Sequence, residues 1–362
     1  MMGWIGSLGA VALALVSSSA LAAADETAHS GPVCAPIQGL HAICGAAGSE
    51  DLALVPGGRW LIASGLNLGR PAHLYLIDTR TKTAATLFPL DQRPMRQDHE
   101  ISPECSGPPD LARMSTDGLG LRPGRGGVHT LYAANHGDRM AIEMFRIDAR
   151  GLRPRARWIG CAPLPVGTLP NAVAPLPGDG LLVSSFYDPT DKTAWARMGR
   201  GENTGRLLEW RPGRGFRPLP GSEMSGANGL ETSADATMIY ASAWSARKLV
   251  IIPRRGGPRR EIPLDFMPDN IRRQADGMLM VAGQRTTVES IAACTGAQCP
   301  QTWDVVRIDP RSGAVEPLLR RAGTPSVNYA CTAMVVGGVL YITARGDGRV
   351  IDVPLAELPS LQ

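Results

Sequence analysis

Past its first two dozen positions the sequence has no apolar run long enough to cross a bilayer as a helix, so no span is expected in the body of the chain. It has no G-x-S-x-G, which argues against a nucleophile elbow and the α/β-hydrolase fold that carries one. A glycine-rich phosphate loop opening a helix is also missing, because Gly199-Arg200-Gly201 and Gly213-Arg214-Gly215 read as loops. No C-x-x-C and no His pair at ligand spacing occur, so a structural zinc site is not expected. The charge is only +4, with positive residues scattered through Arg-Pro-Gly turns and pairs such as Arg254-Arg255 and Arg259-Arg260. These read as solvated loop arginines, and without a basic helix or interleaved aromatics no nucleic-acid partner is expected.

The N-terminus is different in character. Ala10 to Val16 is a short apolar stretch, and Ser17 to Ala24 is small-residue sequence with A-x-A options such as Ala20-Leu21-Ala22. This predicts a signal peptide over residues 1–24, although the usual Lys or Arg before the apolar stretch is lacking. The alternative, a retained anchor, would need a longer apolar run. The expected mature protein is a single soluble domain over 25–362, periplasmic or secreted.

Export makes disulfides the default for the seven cysteines. Cys294 with Cys299, and Cys34 with Cys44, are the pairs favoured by closeness in sequence; Cys105 with Cys161 is a third. The odd count leaves one thiol free or paired between chains.

Glycine and proline are abundant (42 and 30 residues), and long helical periodicity is scarce. Short apolar runs recur between turn signals: Trp60–Ala63, Leu74–Ile77, Leu131–Ala134, Leu181–Val183, Met238–Tyr240, Leu249–Ile252, Met278–Val281 and Val339–Ile342. Many short strands without intervening helices mean a sandwich, a barrel or a propeller. The order within each unit favours the propeller. Leu52–Val55 precedes Trp60–Ala63 and Leu74–Asp78, and Thr332–Val336 precedes Val339–Thr343 and Arg349–Val353. A diverged repeat of roughly 40 to 65 residues results, as expected of four-stranded blades. Inner-strand starts fall near Glu50, Asp117, Asn171, Asn228, Asn270 and Thr332, which predicts an all-β, six-bladed propeller. A two-domain sandwich is the alternative architecture.

In a propeller the starts of the inner strands converge at one mouth of the channel. The converging residues are Glu50, Asp117, Asn171, Asn228, Asp269 and Asn270, all bearing oxygen. Hard divalent cations such as calcium take six to eight oxygens of these kinds. Singly, each has an ordinary explanation as a turn or strand-capping residue, Asn228-Gly229 above all. Recurrence at the same place in successive repeats points instead to a shared metal ion.

Gly48-Ser49-Glu50-Asp51-Leu52, Ala134-Asn135-His136, Ala227-Asn228-Gly229-Leu230 and Pro268-Asp269-Asn270-Ile271 resemble, in order, motifs of the paraoxonase/arylesterase family, related to gluconolactonases and strictosidine-synthase-like propellers. The resemblance implies a catalytic calcium bound by Glu50, Asn171, Asn228, Asp269 and Asn270, which would polarise an ester or lactone carbonyl. Two departures stand out. Asp117 replaces the family's His, while His136 matches its partner, so Asp117 is either a general base assisted by His136 or a further ligand; a buried His bonding a neighbour is the plain alternative for His136. Asp51 and the Leu119 carbonyl match a second, structural calcium site, but Ala172 replaces its Asp, leaving that ion doubtful. The family's disulfide from the N-terminal segment to the last strand has no counterpart here.

The expectation is therefore a calcium-dependent hydrolase of small esters or lactones. Its rivals are a binding propeller with structural calcium and a strictosidine-synthase-like enzyme. Loops Arg93–Pro109, Tyr187–Asn203 and Arg285–Thr302 are expected over the mouth. Trp195, Trp244 and Trp303 are candidates to line it, with core packing the alternative for each and the stronger one for Trp244.

Overall fold

In the computed structural model, residues 34–67, 69, 71–90, 95–294, 300–346 and 348–358 are described. The expected leader, residues 1–24, lies outside them. Six four-stranded antiparallel sheets form the blades of a propeller. Blade one comprises Leu52–Leu54, Trp60–Ala63, Leu74–Asp78 and Thr83–Phe88. The inner strands of blades two to five are Thr116–Arg122, Pro170–Pro175, Ala227–Thr232 and Met267–Arg273. Blade six begins at Val327–Val336, earlier than the Thr332 expected from the sequence. Its outermost strand is the N-terminal His41–Ile43, paired with Val350–Asp352.

That last pairing closes the ring. The Cys34–Cys44 disulfide lies immediately beside the closing strand, so a local staple sits where the resembled family joins distant segments. Cys105–Cys161 fastens a loop to the outer strand of blade two, and Cys331 is free and buried. Cys294 is disulfide-bonded, and its expected partner Cys299 lies outside the described residues.

A single blade exposes two apolar faces and gains stability only by stacking on its neighbours. Each of the six blade junctions has its own core. Leu74 and Leu76 of blade one meet Leu119 and Trp158 of blade two; Leu52 and Leu61 meet Tyr341 and Met334 of blade six. Trp210 fills the junction of blades two and three, and Trp303 that of five and six. Trp303 is thus a core residue, 1% exposed, and does not line the mouth. The β-branched and aromatic enrichment of the runs suits these double-faced strands.

One irregularity recurs on the inner strands. The register slips between Thr116 and Leu119, Pro170 and Val173, Ala227 and Leu230, and Pro268 and Ile271. Asp117, Asn171, Asn228 and the pair Asp269-Asn270 occupy those slips. A bulge inserts an unpaired residue and re-aims its side chain, here towards the axis. Neighbouring bulges then nest so closely that a Cβ at Gly118 would overlap the Asn171 carbonyl, and one at Gly229 the Asp269 carbonyl. Glycine after the oxygen-bearing residue is the steric condition for bringing adjacent blades together there.

Candidate metal centre and active site

Glu50, Asp117, His136, Asn171, Asn228 and Asp269 all line one cavity of about 210 Å³. Asn270 lies directly behind it, 1% exposed, and donates from Nδ2 to Glu50 Oε1 at 2.7 Å. The oxygens divide into two sets. Asp117 Oδ2 meets His136 Nε2 at 3.1 Å and accepts from Asn171 Nδ2 at 3.3 Å. Asp269 Oδ2 accepts from Gln284 Nε2 at 2.6 Å. The other set has no hydrogen-bond partner: Glu50 Oε2, Asp117 Oδ1, Asn171 Oδ1, Asn228 Oδ1, Asp269 Oδ1 and Asn270 Oδ1 are all buried.

Buried polar atoms are ordinarily satisfied, and leaving one unmade costs about 1–3 kcal/mol, more when charged. Six orphaned oxygens from five blades fit a hard, oxygen-seeking cation. Electrostatics agree. Burial, then the charges of Asp117 and Asp269, push Glu50 well above the usual carboxylate range. Burial likewise pushes Asp269 up to about 7 against the bond from Gln284, with the charge of Asp117 adding to the rise. For His136, burial pulls the pKa down, but the hydrogen bond and charge of Asp117 outweigh it and leave it raised.

Several participants carry no readable sequence signal. Cys331 stands beside the carboxylates: its Sγ and one oxygen each of Glu50 and Asp269 lie within 4.8 Å of one another. A lone cysteine in an apolar strand offers nothing to distinguish it from a core residue. Gln284 holds Asp269 and is itself held by Trp244 Nε1, which donates to Gln284 Oε1 at 2.7 Å. Trp244 lines the cavity with Trp195, despite following directly on a strand.

The place assigned by resemblance to a second ion is filled by a side chain. Arg272 Nη2 donates to Asp51 Oδ2 and, at 3.0 Å, to the Leu119 carbonyl; its Nε donates to Leu52 O at 2.7 Å. Leu119 N, Thr332 Oγ1 and Leu52 N also donate to Asp51, at 2.6, 2.9 and 2.8 Å. A guanidinium therefore supplies positive charge to the groups that matched the doubtful ion, and it links blades five, one and two across the channel.

The loops sort unevenly. The segments 187–203 and 285–302 contribute the short helices Ala194–Gly199 and Val288–Ala292, whose Trp195 and Ile291 reach the cavity. The expected lid at 93–109 supplies no lining residue among those described. It is pinned outside instead, through Asp98 N to Ile159 O at 2.7 Å and the Cys105–Cys161 bond. A larger groove of about 790 Å³ lies between turns of blades four and five, but charged groups there are engaged locally: Arg260 by the Pro310 and Arg311 carbonyls, Asp276 by Arg307.

No family model and no curated protein matches the sequence. Solved structures do match in fold. A luciferin-regenerating enzyme superposes with a TM-score of 0.53 at 13% identity, over 85% of this chain and 92% of that one. A gluconolactonase from Xanthomonas campestris gives 0.53 at 17%, over 86% and 88%. The calcium-binding protein regucalcin from Agrobacterium tumefaciens gives 0.50 at 14%, over 84% and 89%. The chain thus has the six-bladed propeller fold of the gluconolactonase and regucalcin kind. No helix among the described residues is long and apolar enough to cross a membrane.

Proposed function

We propose that this chain is an exported, calcium-dependent hydrolase of small esters or lactones, working in the cavity at the mouth of the channel. The observation that carries the reading is the set of six buried oxygens without hydrogen-bond partners. Glu50, Asn171, Asn228, Asp269 and Asn270 would hold the ion. Calcium held by these residues would supply Lewis acidity towards the substrate carbonyl and the oxyanion that develops from it.

The remaining work falls to side chains. Asp117 and His136 form the proton-handling pair: a proton leaves the attacking water for this pair and returns to the departing alkoxide, so both atoms and charge balance. Asn171 orients Asp117, since its amide donates to the same oxygen that meets His136. Gln284 fixes the rotamer of Asp269, and Asn270 that of Glu50. The aromatic group Phe186, Tyr187, Trp195 and Trp244, with ring centroids 5.3 to 6.4 Å apart, keeps one wall of the cavity apolar.

Hydrolysis of phenyl acetate and a panel of lactones, with and without a calcium chelator, tests the proposal. Turnover abolished by the chelator and restored by calcium is the expected result. Intact calcium binding with no turnover of any substrate would instead mark a binding propeller. Turnover unaffected by chelation would remove the ion from the mechanism.

A further inference from the structure

Arg345 stands in the wall of the same cavity with no carboxylate at ion-pair distance, while the charges of Asp117 and Asp269 reach it from further off. It lies near the end of the second strand of blade six, Val339–Gly346, in register with Tyr329 on the inner strand. Its Nη1 donates to the Tyr329 hydroxyl at 2.7 Å, and the guanidinium sits 5.8 Å from that ring's centroid. Among the described residues this is its one hydrogen bond, and no carboxylate comes within ion-pair distance. Other buried or half-buried arginines are treated differently. Arg272 is fully engaged by Asp51 and three carbonyls, and Arg139 is paired with the buried Glu143.

A half-buried guanidinium carries five donors in a rigid fork, and desolvating those donors without acceptors is unfavourable even where distant carboxylates balance the charge. Facing a cavity, the unused donors have room to meet a ligand. Tyr329 fixes the direction of the fork, which lowers the ordering cost of binding. In a six-membered ring blade six stands opposite blade three, the source of Phe186, Tyr187 and Trp195. The cavity therefore has an apolar wall on one side, the oxygen cluster at its floor and a cation on the other side.

We infer that Arg345 forms an anion subsite, and that the molecules taken here carry a carboxylate or similar anion on an apolar or planar body. The position of the scissile carbonyl between these two features rests on the hydrolase reading above; the anion subsite does not. Arg345 acts as a specificity-determining residue, and the fork geometry favours planar, bidentate acceptors.

The test uses probes that bind metal ions poorly, so that the oxygen cluster is not what they report. Calorimetry compares 2-phenylethanesulfonate with its neutral sulfonamide on the full chain equilibrated with calcium. The wild type is expected to prefer the anion by about tenfold or more, the size of a charge-assisted bond in a partly desolvated site. Arg345→Gln should bring the two affinities within about twofold, and Arg345→Lys, which keeps the charge and loses the fork, should keep part of the preference. Thermal melting checks that each variant is folded, and the wild-type comparison stands even if one is not. Equal affinities in the wild type, no binding of either probe, or full preference retained in Arg345→Gln would each overturn the subsite. Hydrolysis of phenyl acetate is measured in parallel. Preference for the anion without hydrolysis leaves the subsite standing and removes the hydrolase; hydrolysis without the preference does the reverse.

Discussion

Asn270 Nδ2 donates to Glu50 Oε1 at 2.7 Å, across 220 positions of sequence, and leaves Glu50 Oε2 and Asn270 Oδ1 unpartnered and buried. One hydrogen bond thereby orients two candidate ligands from blades five and one. Asn270→Ala removes an oxygen and releases Glu50 together, so calcium affinity should fall by more than about tenfold, or 1.4 kcal/mol. Calorimetric titration measures this; an unchanged affinity would show that the pair does not hold the ion.

Asp117→Asn separates proton transfer from metal binding. The amide keeps the shape but cannot accept a proton, so kcat is expected to fall by about 100-fold or more while calcium affinity changes less than about tenfold. His136→Gln, which removes the assisting partner, should lower kcat by less. Parallel loss of calcium affinity in Asp117→Asn would make Asp117 a ligand and leave His136 to handle the proton.

The buried pair of Arg272 and Asp51 is a structural device, independent of any ion in the cavity. Arg272→Met leaves Asp51, which is fully buried, without its counter-charge and should cost about 3–5 kcal/mol. Replacing both, as Asp51→Leu with Arg272→Met, should recover most of that loss. Denaturant titrations in chelator and in calcium should give the same cost, because the guanidinium and not a second ion carries the charge.

Stability of the cation-free protein should fall as pH rises. The ordinary carboxylate pKa lies near 4, whereas the folded protein holds Asp269 at about 7 and Glu50 well above its usual range. Between about pH 4 and 7 the folded state keeps protons that the unfolded chain has released, and the linkage makes stability decline through that window. Melting temperatures in chelator should therefore drop from pH 5 to pH 8, and calcium should raise them more at pH 8. A flat profile in chelator would mean that the carboxylates do not crowd one another.

The blades were legible because their signals are local. Turn residues bound each short apolar run, and Asp117, Asn171, Asn228 and Asp269-Asn270 recur where each inner strand begins, two of them followed by the glycine that nesting requires. The N-terminal closing strand was not legible, since His41–Ile43 looks like any short segment until Val350–Asp352 offers it an edge. Arg272, Cys331 and Arg345 read as an ordinary strand arginine, an ordinary apolar cysteine and another of the chain's many arginines. The lid expected at 93–109 failed for a related reason: a long loop has no local sign of which surface it will follow, and here a disulfide holds it on blade two.

By itself the sequence determined the strand-forming runs, their repeat and the oxygen-bearing chemistry placed at each start. Those depend on alternation, turn propensity and residue type, all expressed over a few neighbouring positions. Only the tertiary structure decided that the bulges turn those oxygens to one axis, that a guanidinium occupies the place of a second ion, and that a thiol and Arg345 share the cavity. Such outcomes need residues from different blades to meet, and side-chain direction at a bulge is set by the blade packed against it.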